Sequence, residues 1–375
     1  MTKIAVLGAN GFIGLRLVES LLLRAVAEVC PVVRAPSSFA PLSRFALEGR
    51  VADARDLEAL RIAFRGCDVV VHAAAGDRSL VVDSIEPVVR AASDAGVGRL
   101  VYLSSLAVHG YDPAPDSNED SPLARKQEID YCNWKVDAEA RLAALHRRGG
   151  PEMVVLRPGI VLGPRAQWVR DFAAALAQGR AYVIGDAAGL CPSIYVDNLV
   201  GAIEQAAFRA GVDGETFIVG DRERVTWKDV YAPIVEAMGR NWSQDLHHVP
   251  ATPQPPTARR LFEAVRRSTF VQATRRRLPP RLRSAAFAAI DRLRDESEPL
   301  SPFAATAAPT VRATREMTLL QSCRHKLSHD KATRLLGYSP QVSFEEGMAR
   351  TLAWLAFAGY LPMDAATWPE AERRG

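Results

Sequence analysis

The chain begins MTKIAVLGANGFIG (residues 1–14), and this stretch carries the strongest indication of the fold. Its apolar run at residues 4–7 is typical of a short buried strand, and it meets Gly8. Gly11 and Gly14 follow at three-residue spacing, and apolar residues at helical spacing begin immediately afterwards. A strand, a glycine turn and a helix in this order predict a phosphate-binding turn, because the helix N-terminus offers unpaired N–H groups to a pyrophosphate.

The second predicted strand, Glu28–Val33, contains Pro31, which is unfavourable inside a sheet because it lacks an N–H group. The strand ends at Arg34, about twenty residues after Gly14, where dinucleotide-binding folds usually place an acidic residue on the adenosine ribose. A guanidinium at that place suits a 2′-phosphate better than a ribose diol. The sequence therefore favours NADP over NAD, and a solvated Arg34 is the alternative.

Further strands are predicted at residues 69–71, 100–103 and Thr216–Val219, with helices between them, including one at residues 81–95. This alternation predicts an α/β fold with a doubly wound parallel sheet, the Rossmann fold. We expect residues 1–165 to form the nucleotide-binding domain. Residues 166–375 are then a smaller C-terminal substrate-binding region that returns to the sheet.

Length and composition describe an ordinary globular protein of 375 residues with a formal charge of +4. The five cysteines are scattered and form no C-x-x-C pair, which favours reduced thiols. Met1 leads directly into the first strand, which leaves no room for a signal peptide, and no apolar run reaches about 18 residues. These features predict a cytoplasmic protein.

Several side chains are candidates for chemistry. Ser104 and Ser105 lie at the carboxyl end of a predicted strand, where ligands bind in open parallel sheets, so a hydroxyl there is well placed. Tyr131 and Lys135 are four residues apart and therefore share one face of a predicted helix. A nearby ammonium group stabilises a phenolate, which would lower the pKa of Tyr131 and suit it to general acid or base catalysis.

The order of these motifs resembles the extended short-chain dehydrogenase/reductase family, also called the NAD-dependent epimerase/dehydratase family. The resemblance covers roughly residues 1–240 and resumes at 335–360. The segments that carry it are GANGFIG at 8–14, the Asp53-Ala54 step, HAAA at 72–75, LSSLAVHG at 103–110, YCNWK at 131–135, RPGIVLGP at 157–164 and YVDNL at 195–199.

The resemblance implies a role for each candidate. Ser105 would hydrogen-bond the substrate oxygen, Tyr131 would transfer the proton, and Lys135 would lower the pKa of Tyr131 and bind the nicotinamide ribose. With the glycine turn and Arg34, the expected cofactor contacts are Gly8, Asn10, Gly11, Phe12, Ile13, Gly14, Arg34, Asp53, Ala54, Ala73, Ala74, Ala75, Tyr131, Lys135, Pro158 and Gly159.

Departures from the family pattern narrow the range of expected substrates. Nucleotide-sugar dehydratases usually carry Thr-Asp-Glu where this chain has residues 105–107, Ser-Leu-Ala, so we do not expect a 4,6-dehydratase. Residues 189–195 lack the arginine that meets a substrate diphosphate in nucleotide-sugar epimerases. Arg165, Arg170 or Arg180 could replace it from another direction.

Our leading hypothesis is an NAD(P)-dependent oxidoreductase that transfers hydride at a secondary alcohol or ketone of a small molecule. A lipid-like substrate, such as a sterol or an alkyl ketone, is suggested by the missing diphosphate clamp. An NAD-dependent sugar epimerase, which uses the same residues without net redox change, is the alternative. A non-catalytic nucleotide sensor is disfavoured by the intact set of Ser105, Tyr131 and Lys135.

Residues 250–318 differ from the rest because they are rich in arginine and interleaved with apolar residues. A basic helical insert of this kind can cap an active site, contact a partner protein, or lie on an anionic membrane surface. A solvated insert is equally compatible with the pattern. We expect no nucleic-acid partner, because no recognised module is present. The family resemblance is compatible with a homodimer.

The only metal-like spacing is Cys-x-His-x3-His at Cys323, His325 and His329. Zinc sites usually need a second cluster of ligands, and this chain offers none near it. We therefore predict no metal site.

Overall fold

The computed structural model of the chain describes residues 1–251 and 313–361. In chain order its strands are β1 (Lys3–Leu7), β2 (Glu28–Val33), β3 (Arg50–Val51), β4 (Val69–His72), β5 (Arg99–Leu103), β6 (Glu152–Pro158), β7 (Ile160–Leu162), β8 (Tyr182–Ile184), β9 (Leu190–Cys191), β10 (Ser193–Tyr195), β11 (Thr216–Val219), β12 (Val225–Thr226) and β13 (His247–Val249). Its helices are α1 (Phe12–Leu23), α2 (Leu57–Phe64), α3 (Arg78–Val81), α4 (Ile85–Asp94), α5 (Asp130–His146), α6 (Gln167–Ala177), α7 (Val196–Phe208), α8 (Trp227–Ala237), α9 (Arg315–Leu320) and α10 (Phe344–Phe357).

A parallel sheet of seven strands forms the centre of the described structure, in the order β11-β6-β5-β4-β1-β2-β3. Side chains of α1 and α7 pack on one face, and side chains of α2, α4 and α5 pack on the other. The order of the strands reverses at β1: β2 and β3 follow on one side of it, and β4, β5, β6 and β11 lie on the other, as a doubly wound fold requires. The predicted fold class is therefore confirmed.

A third apolar cluster lies among α6, α8 and α10. Its centre is aromatic: the rings of Phe172 and Tyr231 stack with centroids 3.8 Å apart, and Trp168 meets Trp227 edge to face. The division of the chain at residue 165 stays a prediction. The predicted basic insert lies almost entirely at residues 252–312, outside the described residues, and stays a prediction as well.

Pro31 occupies an interior strand at little cost, for a geometric reason. The carbonyl of Val33 accepts the Ala52 N–H group on the β3 side. Along a strand, the backbone N–H and carbonyl groups of successive residues point alternately to the two neighbouring strands. The Pro31 nitrogen therefore faces the β3 side, where the ladder pairs only Val32 and Val33. No hydrogen bond of the ladder is lost there.

The single helix expected at residues 81–95 is wrong in one respect, because the segment forms α3 and α4 with a break between them. Pro87 lies in the first turn of α4, where a missing N–H group costs nothing. At the break, the Ser84 hydroxyl donates to the Leu80 carbonyl and contacts Nε2 of the buried His72. Burial lowers the pKa of His72 to about 3, so this histidine is a neutral packing residue.

No helix within residues 1–251 and 313–361 combines the length and the apolar character that crossing a bilayer requires.

A buried amide on α7 is one of the groups that join the C-terminal part to the rest of the structure. Asn198 on α7 donates to the Asp221 carboxylate at 2.7 Å and to the Val342 carbonyl at 2.8 Å, and its oxygen accepts the N–H groups of Gln341 and Val342. Asp221 also accepts the Tyr195 N–H group. Buried polar groups of this kind are costly to leave unpaired.

We therefore expect Asn198→Ala to lower the free energy of unfolding by about 2–4 kcal/mol. Asp221 would lose a hydrogen-bond donor, and the N–H groups of Gln341 and Val342 would lose their acceptor. Urea unfolding followed by circular dichroism measures this. The matched control is Asn118→Ala in an exposed loop, for which we expect a change of less than about 1 kcal/mol. Equal losses in the two variants would contradict the account.

Candidate active site

In the glycine turn, two glycines lie so close to other backbone atoms that no side chain would fit. Gly8 has a φ of +90°, and a Cβ atom there would lie 2.8 Å from the backbone of Ala74. A Cβ atom at Gly14 would lie 2.2 Å from the Gly8 carbonyl oxygen. These contacts bring the start of α1 against the carboxyl ends of β1 and β4, as a phosphate-binding turn requires.

The N-terminus of α1 fits a bound pyrophosphate. Gly11 is the N-cap residue, no side chain caps the helix, and the first turn holds no acidic residue. Its unpaired N–H groups and the helix dipole therefore favour an anion at this end. Ala73, Ala74 and Ala75 follow β4 at the same edge; the first two are partly buried and Ala75 is exposed, so small side chains border the site. Asn10 lies in the turn itself, and Phe12 and Ile13 are the first two residues of α1.

The part of the site that is predicted to meet adenosine carries two arginines and one aspartate. Arg34 is exposed and forms no hydrogen bond or ion pair with residues 1–251 or 313–361. Arg55 holds Asp53 with bonds of 2.8 and 2.7 Å, and hydrogen bonding from Arg55 lowers the pKa of that carboxyl to about 2. The adjacent Ala54 is buried. An exposed guanidinium beside a fixed carboxylate can meet a phosphate group.

The structure brings Ser105 and Tyr131 together. Ser105 follows β5 directly and starts a short 3₁₀ turn, in which its hydroxyl accepts the Ala107 N–H group. Its neighbour Ser104 is buried and donates to the Glu139 carboxylate. Ser105 is thus the serine that acts on Tyr131, because it lowers the pKa of that phenol against the larger effect of burial.

The expected lowering of the Tyr131 pKa by Lys135 is wrong for this arrangement. Lys135 is buried and donates to the Leu103 carbonyl at 2.7 Å and to the Tyr102 hydroxyl at 3.3 Å, while its Nζ atom lies 5.9 Å from the Tyr131 ring centroid. Burial raises the pKa of Tyr131 to about 12, against the opposing effect of Ser105. Burial also lowers the pKa of Lys135 to about 8. Tyr131 is a neutral phenol at pH 7.

A buried ion pair behind the site was missed by the sequence analysis. Arg157 on β6 contacts both oxygens of Glu139 on α5, at 3.0 and 2.7 Å. It also meets His109 Nε2 and the Glu119 carbonyl. The pair holds α5, and with it Tyr131, against the sheet. Glu139 follows Lys135 at a spacing of four on the helix face that carries Tyr131, and this spacing was the available signal.

Pro158 is the last residue of β6, and Gly159 follows it at the same edge of the sheet. Gly159 has a packing reason of its own, because a Cβ atom there would lie 1.8 Å from the Pro192 carbonyl oxygen. The backbone N–H group of Ile160 donates to that same oxygen at 2.8 Å. A role for Pro158 and Gly159 in cofactor contact stays a prediction.

A cavity of about 470 Å³ lies among α6, β8, α8 and α9. Its lining is largely aromatic and apolar, and includes Trp168, Phe172, Tyr182, Tyr231 and Met317. Of the three arginines considered as replacements for a diphosphate clamp, Arg180 lines this cavity. Arg165 lines a different cavity beside Phe12, and Arg170 contacts Asp171.

The predicted absence of a metal site concerns Cys323, His325 and His329. Cys323 is buried, His325 contacts Asp112 at 3.4 Å, and His329 meets the Tyr338 ring edge to face. Among the residues that the structure describes, no three His, Cys, Asp or Glu side chains are grouped so that they could hold a metal ion.

Comparison with known proteins places these features in a family. A family model described as NAD(P)H-binding matches residues 8–168. The Arabidopsis thaliana 3beta-hydroxysteroid-dehydrogenase/decarboxylase isoform 1 is 25% identical over 92% of this chain and 78% of its own length. The 2-alkyl-3-oxoalkanoate reductase of Stenotrophomonas maltophilia is 28% identical over 94% of this chain and 98% of its own length. Sterol demethylase protein B of Methylococcus capsulatus is 30% identical over 57% of this chain and 68% of its own length.

Solved structures agree on the fold. The dTDP-glucose 4,6-dehydratase DesIV of Streptomyces venezuelae, solved with NAD and TYD bound, superposes with a TM-score of 0.69 at 22% identity, over 96% of this chain and 99% of its own. The UDP-glucose 4-epimerase of Thermotoga maritima, solved with UDP-glucose, gives a TM-score of 0.67 at 20% identity, over 95% of this chain and 99% of its own. The chain belongs to the extended short-chain dehydrogenase/reductase family, and it is an NAD(P)-dependent enzyme of the oxidoreductase, epimerase and dehydratase kind.

Proposed function

We propose that this enzyme is an NADP(H)-dependent oxidoreductase that interconverts a ketone and a secondary alcohol on an apolar small molecule. The observation that carries the proposal is the placement of Ser105 at the carboxyl end of β5, where its hydroxyl acts on the pKa of Tyr131, with Lys135 one turn further along α5. This arrangement puts a proton donor and an orienting hydroxyl beside the glycine turn that receives the nucleotide.

Each of the three residues has a distinct task in this mechanism. When bound, the nicotinamide supplies or accepts the hydride. In ketone reduction Tyr131, a neutral phenol, donates its proton to the carbonyl oxygen, and in alcohol oxidation it takes the hydroxyl proton back. Ser105 binds that same oxygen and holds it within reach of the phenol. Lys135, whose ammonium group donates to the Leu103 carbonyl and the Tyr102 hydroxyl, is the residue that would bind the nicotinamide ribose.

The protonation of Tyr131 fits its task in ketone reduction. Burial raises the pKa of this phenol to about 12, so at pH 7 it holds the proton that the carbonyl oxygen takes up. Alcohol oxidation is the reverse of the same step, so the pKa alone selects no direction.

The preference for NADP is supported by Arg34 and its surroundings. The side chain is exposed at the end of β2 and has no competing carboxylate bound to it among the described residues, because Asp53 is held by Arg55. A free guanidinium forms charge-assisted hydrogen bonds with a phosphate. NAD offers a ribose diol at this place and gains no such interaction.

An apolar substrate is supported by the aromatic cavity and by the relatives. The lining of the cavity is dominated by rings and by Met317. The matched relatives are named for a hydroxysteroid, for a 2-alkyl-3-oxoalkanoate and for sterol demethylation. Those names describe the relatives. Together with the aromatic lining they support a sterol or an alkyl ketone as the substrate class here.

We expect Tyr131→Phe to lower kcat for ketone reduction by roughly 10²–10⁴-fold, because the proton donor is lost. Turnover is followed as NADPH oxidation with a panel of alkyl ketones and sterol ketones. Binding of NADPH, measured by fluorescence titration, should change little. Tyr360→Phe, at the end of α10, is the matched control and should keep full turnover. Unchanged kcat in Tyr131→Phe would refute the mechanism.

We expect Arg34→Asp to weaken NADPH binding by roughly 10- to 100-fold and NADH binding far less, because a charged hydrogen bond to the 2′-phosphate is replaced by repulsion. Calorimetric titration with each nucleotide measures both constants. Arg148→Asp, an exposed arginine after α5, controls for the change in net charge. An equal effect of Arg34→Asp on both nucleotides would overturn the assignment.

A further inference from the structure

The short 3₁₀ turn that Ser105 starts is held at both of its ends by buried side chains. Ser104, immediately before the turn, donates its hydroxyl proton to the Glu139 carboxylate. His109, the last residue of the turn, meets the Arg157 guanidinium at 3.0 Å through its Nε2 atom. Ser104 is 4% exposed and His109 8%. The two ends of the turn therefore contact two charged residues of neighbouring elements.

Those two charged residues are the two halves of one buried ion pair. Arg157 on β6 contacts both Glu139 oxygens, and its remaining donors meet His109 and the Glu119 carbonyl, the latter at 2.9 Å. A guanidinium engaged on all sides has one orientation. Glu139 lies on α5, the helix that carries Tyr131. The ion pair thus connects the turn of Ser105 with the helix of Tyr131.

His109 takes part in this arrangement as a neutral ring. A guanidinium has no acceptor atom, so Arg157 donates, His109 Nε2 accepts, and the ring proton lies on Nδ1. Burial, together with the charge of Arg157, lowers the pKa of His109 to about 4. The ring is therefore uncharged at pH 7. Glutamine, which also offers an uncharged acceptor, is the replacement that preserves this contact.

Other hydrogen bonds link the same region, but each of them reaches a different part of it. Lys135 joins α5 to the Leu103 carbonyl, which lies in β5 before the turn begins. Gln127, in the loop before α5, donates to the Ala107 carbonyl in the middle of the turn. The ion pair differs from both because it holds the residue before Ser105 and the residue that ends the turn.

We propose that Ser104, His109, Glu139 and Arg157 form a positioning unit that fixes the Ser105 hydroxyl relative to the Tyr131 phenol. The inference rests on the proposed function, in which the two hydroxyls must reach the same substrate oxygen. One hydroxyl comes from the end of a strand and the other from a helix, and hydrogen bonds within the sheet or within the helix do not set their separation. A misplacement of about 1 Å can lower a rate by about 10²-fold.

The test is a double-mutant cycle on kcat for ketone reduction, followed as NADPH oxidation with the panel of alkyl and sterol ketones. We expect His109→Ala to lower kcat by roughly 10- to 100-fold and to leave the affinity for NADPH unchanged. In a Ser105→Ala background, the same substitution should lower kcat by less than about twofold, because the hydroxyl that it displaces is already gone. A purely structural loss would be equal in the two backgrounds.

Three further variants complete the comparison. His109→Gln keeps a neutral acceptor for Arg157 and should restore most of kcat. Ser104→Ala acts at the other end of the turn and should repeat the pattern of His109→Ala, also in the event that His109→Ala folds poorly. His146→Ala is the matched control, because this ring contacts Asp213 at 2.9 Å from the last residue of α5. It should change neither kcat nor NADPH binding.

Two results would overturn the inference: losses of kcat that are equal with and without the Ser105 hydroxyl, or an unchanged kcat in Ser104→Ala. The proposed function fails separately, if the wild-type enzyme reduces none of the ketones and epimerises UDP-glucose. The same double-mutant cycle, measured on the rate of epimerisation, then still decides whether the four residues position Ser105 against Tyr131.

Discussion

The close passage of α1 over the end of β1 is the constraint on which the rest of the structure depends. A Cβ atom at Gly14 would lie 2.2 Å from the Gly8 carbonyl oxygen, so the helix can start at this edge only without a side chain there. The parallel sheet then delivers the ends of β4, β5 and β6 to the same edge. This edge of the sheet therefore carries the glycine turn, Ser105 and the face of α5 that holds Tyr131.

Local patterns of the sequence predicted much of this arrangement. The bounds of β2 and β11 agree residue for residue, and Ser105 directly follows β5, as the strand pattern predicts. These features rest on glycine geometry, on alternation and on spacing within one helix. They need no knowledge of the partners that lie far away along the chain.

The features that could not be predicted all join distant segments. Arg157 with Glu139, Asn198 with Asp221, and Arg315 with Glu128 pair residues that no local spacing connects. The pKa of Tyr131 illustrates the same limit. The predicted spacing of one helical turn between Tyr131 and Lys135 was correct. The Lys135 ammonium group nevertheless donates to the Leu103 carbonyl, and burial is the main cause of the raised pKa of Tyr131.

The central claim is that the site exchanges a nicotinamide nucleotide with solution in each cycle, as a redox enzyme must and an epimerase need not. The most direct measurement is to denature the purified protein, identify any released nucleotide by chromatography and mass, and titrate the native protein with NADPH. The account predicts little retained nucleotide and reversible binding of NADPH. Near-stoichiometric NAD, retained through purification, would contradict it and indicate the epimerase.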